Sequence, residues 1–467
     1  MRHKIFFVLM LAVVSLYAQD VTGDWNSILN VPGAKLTLVF HIAKNANTYS
    51  ATLDSPDQGA FGIPLTSVSS VQDSLVMTHG MARIRYEGVF INNDSISGTF
   101  TQAGQSFPLG LSRKELKKPV VKRPQNPLPP YPYISEEVTF IHPVGNFKLA
   151  GTLTYPASGS KFPAVILITG SGPQNRDEEL LGHRPFLIWA DYLTRHGIAV
   201  LRFDDRGCFQ SKGDYASATS FDFATDAEAA IAYLKTRKEI DKKKIGLMGH
   251  SEGGLIAPLV ASRDKDVAFI VMLAGPGISG KDILLRQQEL IARAEGMDES
   301  DIAANAETNR NIFDKVETLQ NNDSLRKALD IYLRKRVHES SSKVVPKGIN
   351  ADDFIEMELK MIVNPWMLNF IRYNPAPALS EVKCPVLAII GSKDLQVPAN
   401  ADIPAIQSAL KKGGNKNYMV KELTGLNHLF QECKTGLPNE YGSIEQTVSP
   451  VALETVTSWL QSLLKLK

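Results

Sequence analysis

In the stretch GHSEGG a serine stands between glycines two positions away on either side, as Gly249-His250-Ser251-Glu252-Gly253. This Gly-x-Ser-x-Gly spacing suits a strand that turns sharply into a helix, where a side chain at Gly249 or Gly253 would strike the neighbouring elements. The turn strains the serine backbone and leaves its hydroxyl exposed. The run KKIGLM before it reads as the strand and GGLIAP after it as the helix. The chemistry implied is nucleophilic attack by Ser251; a plain structural turn is the alternative. A serine hydroxyl attacks only when a base takes its proton, and the base needs a carboxylate to hold its tautomer. Asp394, in CPVLAIIGSKDLQVP, falls just past a buried-strand pattern, and His428, in LTGLNHLFQ, follows the next strand. His428 alone of the nine histidines comes after Asp394. The competing carboxylates Glu381 and Glu422 fall before or within strands rather than at a strand exit.

Attack on a carbonyl creates an oxyanion, which needs N–H donors. One candidate is the backbone N–H of Glu252, at the start of the helix. The other is Ser171 in TGSGPQNRDEE, where Gly170 and Gly172 let the main chain approach a substrate. That loop lacks the Lys-Ser/Thr of a phosphate-binding loop. Arg176, Asp177 and Glu178, like Asp204, Asp205 and Arg206 in FDDRG, read as ion pairs that hold loops. The charge on Glu252 is conspicuous, but its position assigns the chemistry to its N–H, so Glu252→Gln is expected to keep most of the activity.

The elements around these residues change character along the chain. From 19 to 113 the pattern alternates at period two, as in KLTLVFHIA, with turn residues between short runs. This predicts a small all-β domain, sheet or barrel; its Gly23-Asp24-Trp25 resembles the Gly-x-Trp opening of lipocalin-like barrels, though a docking module is the plainer reading. Residues 114–134 are dense in proline and read as a linker or surface strap. From 135 to 467 strands such as FPAVILITG alternate with helices, which predicts an α/β fold: a mostly parallel sheet flanked by helices. Between the strands FIVMLAG and CPVLAIIG, residues from about 278 to 380 carry apolar positions at i, i+3, i+4 spacing, with DDFIEMELKMIVNPWMLNFIRY read as one run. An insertion there projects from the sheet edge and is expected to form a helical lid.

Residues 1–18 place Arg2 and Lys4 before an apolar run and a small residue, Ala18, as in a secretory signal peptide; an N-terminal membrane anchor is the alternative. Its removal leaves 49 basic and 49 acidic residues, so net charge points to no nucleic-acid partner, and no stable membrane span is expected after processing. A periplasmic or secreted location follows from the signal. Cys208, Cys384 and Cys433 lack metal-ligand spacing, so no metal is expected; one disulfide between two of them is left open.

The motifs GSGPQNRDE, FDDRG, GHSEGGLIAP, CPVLAIIGSKDLQVP and GLNHLFQ together resemble the α/β-hydrolase superfamily, and more closely the bacterial EstD-like esterases, often grouped with serine aminopeptidase-like hydrolases. The resemblance covers residues 135–467 and carries over Ser251 as nucleophile, Asp394 as orienting acid and His428 as base. Thr169 stands where many relatives have histidine, and Cys208 and Phe209 where small residues are common. The resemblance implies an exported serine hydrolase, a carboxylesterase cleaving short- to medium-chain acyl esters, with no cofactor and a small-molecule ester as partner. A peptidase or amidase using the same triad is the first rival reading; a non-catalytic binding protein on this fold is the second.

Overall fold

The computed structural model describes residues 20–31, 34–45, 48–56, 60–79, 84–102, 105–115, 122–345 and 350–466. The signal-like segment 1–18 lies outside the described residues.

Ten strands make the first sheet: β1 (Gly23–Val31), β2 (Ala34–Asn45), β3 (Thr48–Ser55), β4 (Ala60–Pro64), β5 (Ser67–Val71), β6 (Ser74–His79), β7 (Ile84–Asn92), β8 (Ser95–Gln102), β9 (Gln105–Pro108) and β10 (Leu111–Ser112). All pairings are antiparallel, in the order β4-β3-β2-β1-β10-β8-β7-β6-β5, with β9 on β8. Period two decides which side is dry. Leu36, Leu38, Phe40 and Ile42 of β2 all pack in one cluster with Trp25, Tyr86 and Phe100, and the sheet curls until β5 lies beside β3. Leu181, from a loop of the second half, packs against this cluster and joins the two parts.

The proline-rich segment cannot supply a full ladder of its own N–H groups, so side chains hold it. The Arg123 guanidinium donates to the carbonyls of Leu181 and Gly442, each at 2.9 Å, and of Ile444. Gln125 donates to Val448 O at 2.7 Å and accepts from the N–H of Thr447 at 2.6 Å.

The second sheet has eight strands: β11 (Tyr133–Ile141), β12 (Lys148–Pro156), β13 (Phe162–Ile168), β14 (Ala199–Phe203), β15 (Ile240–His250), β16 (Ile270–Leu273), β17 (Val386–Gly391) and β18 (Tyr418–Leu423). Their order is β11-β12-β14-β13-β15-β16-β17-β18, antiparallel through β12 and parallel from β14 onward. Strands β13, β16 and β17 are apolar at every position because both faces are covered. In β13, Ala164, Ile166 and Ile168 join one cluster with α2 (Ser220–Thr236), α3 (Glu252–Arg263) and α10 (Ala399–Lys412). Val165 and Leu167 join the other, with α1 (Pro185–Arg195) and α11 (Pro450–Leu464). Each buried Val, Ile or Leu among them contributes about 1.5–3 kcal/mol, so the strand ends that carry the loops are firmly anchored.

Between β16 and β17 lie α4 (Gly280–Ala294), α5 (Glu299–Thr318), α6 (Asn322–Val344), α7 (Ala351–Ile362), α8 (Pro365–Arg372) and α9 (Ala376–Glu381). Residues of α4 to α8 share their own apolar cluster, including Phe313, Leu329, Phe354 and Ile371. The run read as one helix over 352–373 is two. Pro365 would remove an N–H from the helix ladder, and the Asn364 side chain accepts from Met367 N at 2.8 Å to start α8 afresh. The break lets α8 set Phe370 in the main core, with Trp366 packed against it, rather than extending α7.

Candidate active site

The sharp turn at the end of β15 has the geometry that its glycines allow. Ser251 sits at φ 53°, ψ −118°, a strained left-handed backbone for a serine, and its N–H donates to Leu273 O at 2.9 Å. Behind it, a Cβ on Gly249 would lie 1.9 Å from Gly253 O, and one on Gly253 would lie 2.1 Å from Ile168 O. Only bare backbone lets β13, β15 and α3 meet this closely. The Glu252 N–H opens α3, where no intrahelical acceptor exists, and the helix dipole adds to its pull on an anion.

Asp394 and His428 come from the loops after β17 and β18. Asp394 Oδ2 accepts from His428 Nδ1 at 2.8 Å, and its Oδ1 accepts the N–H groups of Gln396 and Val397, each at 2.8 Å. Both side chains are buried. The histidine loop is pinned by Asn427, whose side-chain oxygen accepts the N–H of Leu429 at 3.0 Å and of Gln431 at 2.9 Å. Ser251, His428, Gly170, Ser171 and Glu252 line one cavity of about 240 Å³. Its remaining walls include Ile283 and Leu284 of α4, Trp366 and Phe370 of α8, Val397 and Leu429, with no Lys or Arg among the described lining residues. The helical insertion therefore covers the serine.

The polar residues read as loop holders do hold loops. Asp204 accepts from the Arg176 guanidinium at 2.7 Å, Asp177 pairs with Arg202, and Asp226 accepts from Arg206 at 2.7 Å. Thr169 donates to Asp205 Oδ1 at 2.6 Å, and Gln174 N donates to the other oxygen at 2.9 Å. Burial holds the Asp205 carboxyl well above its ordinary range, with Asp226 and Glu252 adding to the effect. Neither Thr169 nor Cys208 nor Phe209 belongs to the cavity lining, so these departures from the family pattern do not shape it directly. The three cysteines are free; burial pushes the Cys208 thiol up to about 12 and those of Cys384 and Cys433 up to about 11, so none of them is a ready thiolate nucleophile at neutral pH.

Trp366, Ser220 and His250 escaped a reading of the sequence. Trp366 donates from Nε1 to both oxygens of Glu252, at 2.9 and 3.1 Å, and Ser220 Oγ donates to the same carboxylate at 2.6 Å. Glu252 thus has a task besides its N–H: it hooks the lid helix α8 onto the nucleophile turn. Burial raises its pKa, partly offset by the bonds from Ser220, Trp366 and Ser171. Because Trp366 and Ser220 both reach Oε1, Glu252→Gln retains an acceptor for them, whereas Glu252→Ala strands two buried donors at a cost of about 1–3 kcal/mol each. The alanine variant should melt at least roughly 5 °C below the glutamine variant by circular dichroism; equal melting temperatures would show that the hook is idle. His250 is the third, its Nδ1 2.9 Å from Glu178 beside the loops that carry Ser171 and His428.

A parallel sheet with an antiparallel start, helices on both faces, a strained serine turn after its central strand, and an acid and a histidine on later strand exits make this an α/β-hydrolase. Residues 145–408 match the X-Pro dipeptidyl-peptidase (S15) family, more than half of the chain, and the protein belongs to that family of hydrolases. It is 27% identical over 320 residues to esterase EstD of Thermotoga maritima, covering 67% of this chain and 65% of that esterase, so somewhat less than two thirds of the relative's length is spanned. An uncharacterized 31.7 kDa protein of Escherichia coli is 24% identical over 274 residues, 58% of this chain and 85% of its own. Among solved structures it is similar to an esterase of Pyrococcus furiosus, with 17% identity, a TM-score of 0.42 and coverage of 75% and 98% of the two chains. It is also similar to Est1E of Butyrivibrio proteoclasticus, described with ferulic acid bound, with 18% identity, a TM-score of 0.40 and coverage of 70% and 98%.

Proposed function

We propose that the protein is an exported serine hydrolase that cleaves short- to medium-chain carboxylic esters through an acyl-enzyme on Ser251. The observation that carries this reading is the shared cavity, in which Ser251 and an Asp394-braced His428 face an apolar wall under the lid. Ser251 Oγ attacks the ester carbonyl while its proton passes to His428 Nε2. The N–H groups of Glu252 and Ser171 donate to the oxyanion, and Asp394 stabilises the imidazolium that forms. As the tetrahedral intermediate collapses, the proton goes to the leaving alcohol. Water, deprotonated by the same histidine, then frees the acid. Export rests on the signal-like residues 1–18. Among the described residues no helix is long and apolar enough to cross a membrane.

The family match favours a second reading, a peptidase acting on X-Pro amides through the same residues. The apolar wall of Ile283, Leu284, Trp366, Phe370, Val397 and Leu429 suits a neutral acyl chain. Two measurements separate the readings. A fluorophosphonate probe should label Ser251, located by peptide mapping, and a parallel panel of p-nitrophenyl esters and X-Pro p-nitroanilides should show higher kcat/KM on the esters. Faster amide turnover would assign the peptidase reading. Labelling that misses Ser251 would remove both.

A further inference from the structure

His250 is buried between the two loops that serve Ser251, and its ring faces an oxygen at each nitrogen. Nδ1 lies 2.9 Å from Glu178 Oε1, and Nε2 lies 2.9 Å from the main-chain carbonyl oxygen of His428. A carbonyl oxygen has no proton to give. Glu178 Oε1 is already committed as an acceptor, because it takes the N–H of Gly170 at 2.8 Å. A neutral imidazole carries one N–H and would aim its other lone pair at an oxygen lone pair, whereas an imidazolium satisfies both partners. The ring also lies against that of His428, with centroids 4.8 Å apart.

We infer that His250 is held as an imidazolium and acts as a positioning residue: with Glu178 it ties the main chain of the catalytic histidine loop to the loop that offers the oxyanion donors. One side of the tie fixes His428 by its own carbonyl, and the other fixes Gly170, next to Ser171. Between them stands the residue that precedes the nucleophile. Three loops from the ends of β13, β15 and β18 are thereby locked to one ring. Because Glu178 balances the charge, His428 gains a rigid anchor without a net positive charge beside it.

The ionisable groups facing the ring are Glu178 on the loop after β13, Asp394 on the loop after β17 and His428 on the loop after β18. Burial opposes the charge on His250, but the coulombic pull and hydrogen bond of Glu178 outweigh it, helped by the His428 carbonyl and Asp394, and its pKa is raised. The tie is therefore complete in the range where an ordinary histidine is already neutral, and it is lost as pH rises through the raised value. Activity should fall as His250 loses its proton.

This inference rests on the hydrolase reading for its kinetic consequence, but its direct test does not. In the full chain labelled with ¹⁵N-histidine, at about pH 7 and so above the ordinary histidine value of about 6.5, a ring with two protonated nitrogens should appear that is missing in His250→Gln; His41, whose ring nitrogens face Asp24 and Asp54, gives a second such signal that the variant keeps. A neutral His250 at that pH overturns the proposal. In Glu178→Gln, which keeps the shape and removes the charge, the alkaline limb of kcat should move to lower pH by roughly one pH unit. Its kcat should fall about 10- to 100-fold with KM nearly constant, and Glu178→Asp should restore part of both. A pair that only braces the fold would lower the melting temperature and leave the alkaline limb in place, and that result also overturns the proposal. If a fluorophosphonate fails to label Ser251 while the imidazolium signal is present, the hydrolase reading falls and the charge state stands.

Discussion

Asp394→Asn should lower kcat on an ester substrate by about 10³- to 10⁴-fold, with KM within a few-fold of wild type and the melting temperature nearly unchanged. The reason lies in the two faces of this carboxylate. Oδ1 accepts two backbone N–H groups, from Gln396 and Val397, while Oδ2 accepts from His428 Nδ1. An asparagine has one oxygen, and two fixed donors claim it. Its NH₂ must then point at His428 Nδ1, and an N–H facing that nitrogen forces the ring to carry its proton on Nε2. The base would present a hydrogen to Ser251 instead of a lone pair. Asp394 is only 4% exposed, which leaves little room for water to repair the mismatch. Steady-state kinetics beside a thermal melt check the prediction; a folded variant that keeps more than a tenth of the wild-type kcat would remove Asp394 from the mechanism.

Gly253→Ala should cost about 4 kcal/mol or more and lower the melting temperature by roughly 10 °C or beyond, if soluble protein forms at all. The new Cβ would meet Ile168 O at 2.1 Å and Thr169 O at 2.7 Å, both backbone atoms at the end of β13. Relief requires α3 to retreat from the sheet, which would carry Ser251 away from His428 and the Glu252 N–H away from the oxyanion. Stability and activity should therefore fail together. Gly425→Ala is the contrast: its φ of 80° is strained for alanine, but no atom lies within 4 Å, so about 1 kcal/mol is expected. A Gly253→Ala variant that melts within about 2 °C of wild type would show that the turn can open without cost.

Both predictions use residues whose places are written locally. Period-two apolar runs, the glycines around Ser251, and an acid and a histidine just past successive strands follow from chemistry within a few residues of each group. For that reason the α/β order and the alternating faces of β13 and β17 were legible. The break at Pro365 was legible in principle too, since proline cannot continue a helix ladder, but the unbroken apolar spacing on either side concealed it.

Other features had no local signature. Glu178 and His250 are 72 residues apart, His250 and the His428 carbonyl 178, and Glu252 and Trp366 114. An acid two residues beyond an arginine, or a histidine at the variable position of Gly-x-Ser-x-Gly, carries no mark of its partner until the sheet order brings the ends of β13, β15 and β18 side by side. Chain chemistry alone specified the strands, the serine turn and the order of Ser251, Asp394 and His428 along the chain. Which buried charges meet, and that α8 is hooked to Glu252 through Trp366, came from packing, because the cost of leaving a polar group dry and unpaired is set by neighbours distant along the chain.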